Sequence, residues 1–292
     1  MSARRLDASA LREWAHAAVG DLITHTDEIN RLNVFPVADA DTGTNMLFTM
    51  RSAWAHVDAE PGGGDVVAVA AALAAGGLRG ARGNSGVILS QILLGLAEVV
   101  ASAAADREGN LADIDGELFG AALRHAAGLV VGSMADPVPG TIVSVLQVAA
   151  AAAEHCAAEG GTVTQVLEAT SEAAGAALDE TPEQLDVLAE AGVVDAGGRG
   201  LLVLLDAMTT TVGGCAAHRP AYQPSSSASE LAVVTAAPPQ FEVMYLLSGC
   251  GGDAIEQLRG ELEKLGESVA IAASDTDQYS EHVHVDDAGA AI

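Results

Sequence analysis

Basic residues are scarce in this sequence, which has 13 lysines and arginines against 40 aspartates and glutamates and a net charge of −27. A surface this acidic repels the phosphates of nucleic acids and anionic lipid headgroups, so no nucleic-acid partner is expected. Lys264 is the only lysine. Residues 1–263 therefore offer neither the lysine of a P-loop nor the strand lysine of a protein kinase.

Cysteine is also rare. Cys156, Cys215 and Cys250 are odd in number, scattered, and without metal-ligand spacing, which fits a reducing cytoplasm and no disulfide framework. No apolar signal core follows the first residues, and apolar stretches such as 65–78 are too short or too interrupted to cross a bilayer. We expect a cytoplasmic protein without an integral membrane segment.

Aromatic residues make up only 3% of the chain, whereas half of the residues are apolar and alanine is abundant. Alanine has the highest helix propensity, and Leu11, Trp14, Ala18, Leu22, Ile23 and Ile29 recur at helical spacing. Similar patterns predict helices over residues 7–32, 42–57, 65–77, 84–104, 115–134, 141–158, 162–179, 183–191 and 199–213. Residues 1–215 are therefore predicted to form an all-helical domain of eight or nine helices, with Trp14 and Phe35 in its core.

The pattern changes after residue 215. Residues 216–232 are rich in proline and serine and read as a linker. Residues 233–292 predict a small α/β domain, with strands over 241–247, 268–273 and 282–285 and a helix over 253–265 that packs on the sheet. The chain stops where a further helix would begin, so we expect it to be part of a longer protein.

The segment 39–43, DADTG, carries the first candidate chemistry. Two aspartates stand two apart before a helix start, and Gly43 permits a backbone conformation that other residues resist. Backbone N–H groups at a helix start suit phosphate oxygens, and carboxylates beside them suit Mg²⁺. Helix capping is the alternative, because aspartate is common at helix starts. This segment taken alone favours a magnesium–nucleotide site only modestly.

Three more glycine-rich turns lead into predicted helices, at residues 80–90, 136–141 and 193–200. Any one of them is explained equally well as a flexible connection between helices. Four such turns in one helical domain, one of them with paired aspartates, favour a nucleotide site that does not use a P-loop.

Five segments resemble a known family. They are 32–46 (LNVFPVADADTGTNM), 80–91 (GARGNSGVILSQ), 190–201 (EAGVVDAGGRGL), 241–247 (FEVMYLL) and 282–284 (HVH). Together they are similar to the DhaL-type nucleotide-binding domain in the form found in the A subunit of fatty acid kinase, also called DAK2 or Dak phosphatase-like proteins. The resemblance implies a mainly α fold: an antiparallel barrel of eight helices that binds ADP or ATP at one end, followed by the small α/β domain.

The resemblance also assigns site residues. Asp39 and Asp41 would be the catalytic residues and would hold two Mg²⁺ ions, and Asn33 stands near the position of a third metal-binding aspartate. The residues that would contact the nucleotide are Thr42, Gly43, Thr44, Asn45, Asn84, Ser85, Gly140, Thr141, Asp195, Ala196 and Gly197.

The function implied is transfer of the γ-phosphate of Mg-ATP to a fatty acid carried by a separate fatty-acid-binding protein, giving an acyl phosphate. A carboxylate acceptor is already ionised and needs no strong base, which fits the absence of a histidine beside the motif. Two alternatives stay open. One is a dihydroxyacetone kinase subunit; such subunits are normally short and have histidine in place of Thr42. The other is a non-catalytic nucleotide-binding module.

The sequence departs from the family pattern at three places. Ala38 and Ala40 stand where proline and glycine are usual, and Gln240 stands where some relatives have a cysteine that joins two histidines around a metal. His282 and His284 alternate on a predicted strand, so both face the same side and could share a ligand such as Zn²⁺. A pair of polar strand residues explains them equally well. The resemblance also allows a homodimer through the second domain.

Overall fold

Ten helices follow one another in the first part of the chain, in a computed structural model that describes residues 4–59, 64–223, 239–274 and 278–292. They are α1 (Ala8–Leu32), α2 (Thr42–Ala59), α3 (Val66–Arg79), α4 (Gly83–Asp106), α5 (Gly116–Ser133), α6 (Ile142–Ala158), α7 (Val163–Asp179), α8 (Thr181–Gln184), α9 (Asp186–Ala191) and α10 (Ala196–Thr211). A two-residue pair, β1 (Leu6–Asp7) with antiparallel β2 (Asp113–Ile114), joins the starts of α1 and α5 and was not predicted.

Aspartate side chains cap the starts of four of the long helices, including Asp195 at α10. Asp7, Asp65 and Asp115 precede α1, α3 and α5, and each accepts a hydrogen bond from the backbone N–H three residues later, at 2.9–3.0 Å. Such caps satisfy N–H groups that have no partner inside the helix. In α1 the apolar residues at helical spacing are buried as predicted, except that Ile23 is 59% exposed.

The eight long helices close into a ring around one apolar core. Each of α1 to α6 packs on the helix that follows it. Helix α7 packs on α10, and α10 packs on α1, which closes the ring. The predicted eight-helix barrel is thus confirmed. The helix predicted over 183–191 is instead two short helices interrupted at Leu185, and the helix predicted from 199 begins at Ala196 because Asp195 caps it there.

Helix α4 is long and apolar enough to cross a bilayer by length and composition. However, 72% of its apolar window is buried inside the protein. That burial is typical of the central helix of a globular core, so α4 is weak evidence for a membrane span.

Part of the predicted linker belongs to the helical domain. Nε of Arg219 donates to Asp206 on α10 at 3.0 Å, and its Nη2 donates to the carbonyl oxygen of Ser171 on α7 at 2.9 Å. Tyr222 is 9% exposed and donates its hydroxyl to Asp179 at 3.0 Å. Arg219 and Tyr222, inside the predicted linker, therefore pack on the helices, whereas residues 224–232 lie outside the described residues.

A three-stranded antiparallel sheet follows, in the order β3-β5-β4. Its elements are β3 (Phe241–Ser248), α11 (Gly252–Leu265), β4 (Gly266–Ala273) and β5 (Gln278–Val285). On one face, Ile255 and Leu262 of α11 pack on the strands, which confirms that this helix covers its own sheet. On the other face, Ala270 and Ala272 of β4 pack on Leu78, Ala81 and Val87 of the helical domain. The sheet therefore covers one end of the ring.

The alternating direction of the long helices decides which residues meet at that end. Short connections make neighbouring helices antiparallel, so the starts of α2, α4, α6 and α10 lie at the end where α1, α3, α5 and α7 finish. All four glycine-rich turns are therefore at the same end of the ring, beneath the sheet.

Candidate nucleotide and metal site

A cavity of about 430 Å³ lies between this end of the ring and the sheet. Its volume is within the range of small-molecule sites. The predicted site residues that line it are Asn33, Asp39, Asp41, Thr42, Asn45, Asn84, Ser85, Thr141, Asp195, Gly197, His282 and His284. Gly43, Thr44, Gly140 and Ala196 were also predicted but do not line it.

Asp39 and Asp41 project from the loop between α1 and α2 into this cavity. Burial and the neighbouring Asp41 carboxylate raise the pKa of Asp39 from 3.8 to about 7. Neither aspartate has an ion pair with an arginine, lysine or histidine among the described residues. Asp39 is exposed and Asp41 is partly buried, and two such neighbouring carboxylates could hold a divalent metal ion.

The backbone between these aspartates is strained. Ala40 has φ of 57°, in the left-handed region that side chains with a Cβ resist. Gly43, which was expected to provide an unusual backbone conformation, is instead an ordinary residue of α2. A Cβ at position 43 would stand 2.7 Å from the Thr26 carbonyl oxygen, so glycine is needed there for the close approach of α1.

Two asparagine side chains brace this loop against the start of α2. Oδ1 of Asn33 accepts from the N–H groups of Asp41 and Thr42 at 3.1 Å each and from the Thr42 hydroxyl at 2.8 Å. Oδ1 of Asn30 accepts from the N–H groups of Gly43 and Thr44 at 2.8 and 3.2 Å. With its oxygen used three times, Asn33 acts as a loop brace, which disagrees with the metal-ligand role predicted for it.

The first turn of α2 therefore has no free backbone donors. The N–H groups of residues 42–44 are bonded to asparagine side chains, and that of Asn45 donates to the Asp41 carbonyl oxygen at 2.8 Å. This disagrees with the prediction that these N–H groups cradle phosphates. Only the side chains of Thr42 and Asn45 remain to face the cavity.

The start of α4 is different because the side chain of its N-cap residue Arg82 makes no capping hydrogen bond, and only the Gly83 N–H has a side-chain acceptor, Sδ of Met244 at 3.2 Å. Gly83 has φ of 56°, and the N–H groups of Asn84 and Ser85 have no partner among the residues that the structure describes. Oδ1 of Asn84 is buried and also unpartnered. Two unpartnered N–H donors therefore lie where the helix dipole favours an anion, whereas the Asn84 oxygen, an acceptor, does not contribute to binding an anion. Of the four glycine-rich turns, this one fits a phosphate best.

Asp195 joins the starts of α6 and α10. Its carboxylate accepts from the Gly198 N–H at 2.7 Å and also from the backbone N–H groups of Ile142 and Gly197. Complete burial raises the pKa of Asp195 to about 6 despite these bonds. Its oxygens are already engaged, so its geometry is that of a double helix cap in the cavity wall rather than of a nucleotide ligand.

The sheet contributes a second cluster to the same cavity. His282 and His284 are buried side by side on β5, with ring centroids 4.9 Å apart, and they face the same side as predicted. Glu242, opposite His284 in the strand register, places Oε1 3.0 Å from Nε2 of His282. One ligand atom from each of the three residues lies within 4.8 Å of the others. These histidines line the same cavity as Asp39 and Asp41, although they are more than 200 residues away from them in the sequence.

A bulge in β4 orients His282. The strand register shifts between Glu267 and Ala270, Ser268 has φ of 58°, and the Ser268 carbonyl oxygen lies 3.1 Å from Nδ1 of His282. If Nδ1–H of a neutral His282 ring donates to this carbonyl oxygen, Nε2 carries a lone pair that faces the Glu242 carboxylate, and the two acceptors repel each other. Protonation of the ring, or a cation bound between Nε2 and the carboxylate, removes this repulsion. This geometry suits a transition-metal ion.

Sequence reasoning missed Glu242 and the apolar wall. Strand alternation could have found Glu242, because it faces the same side as Gln240, two residues earlier. Phe35, predicted to be a core residue, is only half-buried and lines the cavity. The other lining residues that were not predicted are Pro36, Val37, Gly83, Ile88, Met134, Ala135, Asp136, Val138, Ile142, Glu267, Ser268 and Val269.

Comparison with known families matches both parts of the chain. Residues 36–210 match the DAK2 domain, and residues 238–292 match the middle domain of proteins that are like the A subunit of fatty acid kinase. The first match covers the cavity-forming helices and the second covers the sheet.

Individual proteins are similar over most of the chain. Protein YloV of Bacillus subtilis is 38% identical over 225 residues, which are 77% of this chain and 39% of that protein. Uncharacterized proteins of Staphylococcus saprophyticus and Staphylococcus haemolyticus are 34% and 36% identical over 68% and 64% of this chain, or 35% and 32% of their own length. The chain thus spans less than half the length of these relatives.

Proposed function

The chain belongs to the DAK2-domain family, and we propose that it is the ATP-binding part of a kinase that phosphorylates a fatty acid carried by a separate protein. The observation that carries this proposal is a single cavity that joins the Asp39–Asp41 pair to the uncapped start of α4. A cation site beside an anion site is the arrangement that a metal–polyphosphate ligand requires.

Each side of the cavity supplies one part of phosphoryl transfer. Asp39 and Asp41 would hold Mg²⁺, which when bound neutralises phosphate charge and favours in-line transfer. The N–H groups of Asn84 and Ser85 would bind a phosphate oxygen, and the apolar side chains near Phe35 would exclude water around the base. These groups align charged atoms without forming a covalent intermediate.

The acceptor in this proposal is a carboxylate, which carries its own negative charge and needs no base. On a chain with a net charge of −27, an anionic acceptor approaches against long-range repulsion. Delivery by a protein that docks at the cavity mouth would offset that repulsion. The middle-domain match, which is to a component of a larger kinase, supports a protein partner of this kind.

The test is formation of acyl phosphate and ADP from Mg-ATP and a fatty-acid-loaded binding protein. Asp39→Asn and Asp41→Asn keep side-chain volume and remove charge, so each should reduce turnover at least about 100-fold if it holds the metal. Asp58→Asn is the matched control, because Asp58 is exposed at the other end of α2. Equal turnover in all four proteins would refute the proposal.

Two other outcomes would redirect it. Phosphorylation of dihydroxyacetone, with none of the acyl substrate, would assign the chain to the glycerone kinase-like class. Tight binding of Mg-ADP by calorimetry, with no turnover on either acceptor, would assign a non-catalytic nucleotide-binding role.

A second cation is also proposed, at Glu242, His282 and His284. The two imidazoles and one carboxylate are the donor set that Zn²⁺ and related ions prefer, with one position left open to the cavity. Elemental analysis of the purified chain should find one such ion per chain, lost in His282→Ala and retained in His125→Ala, which removes an exposed histidine. No ion in the native protein would contradict this. A homodimer through the sheet and a cytoplasmic location stay predictions.

A further inference from the structure

Arg259 of α11 reaches across from the sheet to the helical ring. Its Nη1 donates to the Ser133 carbonyl oxygen at 3.2 Å, and its Nη2 donates to the Gly132 carbonyl oxygen at 3.3 Å. These carbonyls end α5, whose last turn has no basic residue of its own. A guanidinium at a helix C-terminus satisfies unpaired carbonyls and interacts favourably with the helix dipole.

The segment held in this way forms part of the cavity. Residues 134–136 follow α5 directly and line the cavity wall. Met134 forms a bridge with Ala270 of β4, and the Ala135 N–H donates to the Val269 carbonyl oxygen at 3.4 Å. Arg259 therefore stands at the point where the sheet joins the wall of the site.

Glu281 is a buried acid behind this contact. It is 0% exposed, it lies on the face of β5 towards α11, and neither carboxyl oxygen has a hydrogen-bond partner in the described part of the chain. The Tyr245 hydroxyl donates to the Ala291 carbonyl oxygen at 3.1 Å and lies close enough to act on the Glu281 carboxyl group, without forming a hydrogen bond of good geometry to it. A buried carboxyl group without such a bond is unfavourable, and the charge of Arg259 also acts on it.

The exposed acid beside Arg259 does not compete with these contacts. Oε1 of Glu256 lies 3.8 Å from Nε of Arg259, and its side chain is 73% exposed. Ion pairs at such exposed positions are weak. The guanidinium group thus makes two hydrogen bonds of 3.2–3.3 Å to the end of α5, and its charge also acts on the buried carboxyl group of Glu281.

We propose that Arg259 is a positioning residue that closes the cavity by holding the end of α5, and that Glu281 is its alternative partner when the sheet moves away. In the closed arrangement the helix carbonyls are satisfied and Glu281 is not. In the open arrangement Arg259 pairs with Glu281 and releases the wall segment 132–136. A ligand in the cavity favours the closed arrangement because it contacts both walls. The inference goes beyond the proposed reaction and does not depend on it.

Hydrogen exchange of the full chain without nucleotide tests this directly. Arg259→Met should increase exchange at residues 132–136 and 268–271 about tenfold, and Arg259→Lys, which keeps the charge, should restore part of the protection. Glu281→Gln should decrease exchange at the same residues severalfold, because it removes the alternative partner. Glu256→Gln is the control and should match the native protein.

Arg259→Met and Glu281→Gln are expected to change hydrogen exchange in opposite directions, which distinguishes a switch between two partners from a contact that is only structural. Exchange in Glu281→Gln that equals or exceeds that of the native protein would overturn the alternative-partner role. Unchanged exchange in Arg259→Met would overturn the positioning role. If Arg259→Met does not fold, as judged by circular dichroism, the Arg259→Lys and Glu281→Gln variants still decide the question.

Discussion

Replacing Ala40 by glycine should stabilise the protein. Ala40 has φ of 57° between the two cavity aspartates. A residue with a Cβ in the left-handed region costs roughly 1–2 kcal/mol relative to glycine. Glycine adds unfolded-state entropy that offsets about 0.4–1 kcal/mol of this gain. The net expectation for Ala40→Gly is a stabilisation of about 0.5–1 kcal/mol.

Urea denaturation followed by circular dichroism measures this change, in EDTA so that metal binding does not contribute. Ala38→Gly is the matched control, because this exposed alanine lies in the same loop without a positive φ and has no strain to lose. We expect the control to be no more stable than the native protein and Ala40→Gly to unfold at a higher urea concentration with an unchanged slope. Equal stability of the two variants would refute the strain argument.

Three further changes test how the site is built. Asn33→Ala leaves two N–H groups and a hydroxyl without their acceptor, so urea denaturation should show a loss of about 1–3 kcal/mol; a loss within the error of the measurement would contradict its role as a brace. Because the pKa of Asp195 is raised from 3.8 to about 6, the folded state binds its proton more tightly, and stability should fall by up to about 3 kcal/mol as pH rises from about 4 to about 6. Asp39 adds a fall of the same sign because its pKa is also raised, so Asp195→Asn should make the slope shallower than in the native protein, and an unchanged slope would refute the role of Asp195. Arg199→Met breaks a buried ion pair with Glu28 and should cost about 3–5 kcal/mol, against less than about 1 kcal/mol for the exposed Arg124→Met; equal losses would refute the difference in burial.

The helices could be predicted because their signals are local. Apolar residues at helical spacing and an aspartate before the first turn act within a few residues of the chain, so most predicted bounds agree with the structure. The exceptions also have local causes. Leu185 adopts an extended conformation and divides a predicted helix, and Asp195 starts α10 three residues early.

The site was predictable only in part, because contacts distant in sequence decide it. Asn30 and Asn33 reach residues up to 14 positions later and use the N–H groups that the motif alone offers to a phosphate. Glu242 and His282 are 40 residues apart, and strand pairing brings them to 3.0 Å. No spacing rule within one segment describes either arrangement.

The sequence by itself determined which chemical groups the protein can offer to a ligand. Because its one lysine is Lys264, residues 1–263 have no P-loop lysine, and any phosphate bound there depends on arginine side chains, metal ions or backbone N–H groups. The tertiary structure decided which groups are free to do so. Packing of α1 on α2 brings Asn30 and Asn33 to the N–H groups at the start of α2, whereas the N–H groups of Asn84 and Ser85 in α4 have no partner among the described residues, because only the fold sets which distant side chains come within hydrogen-bond reach.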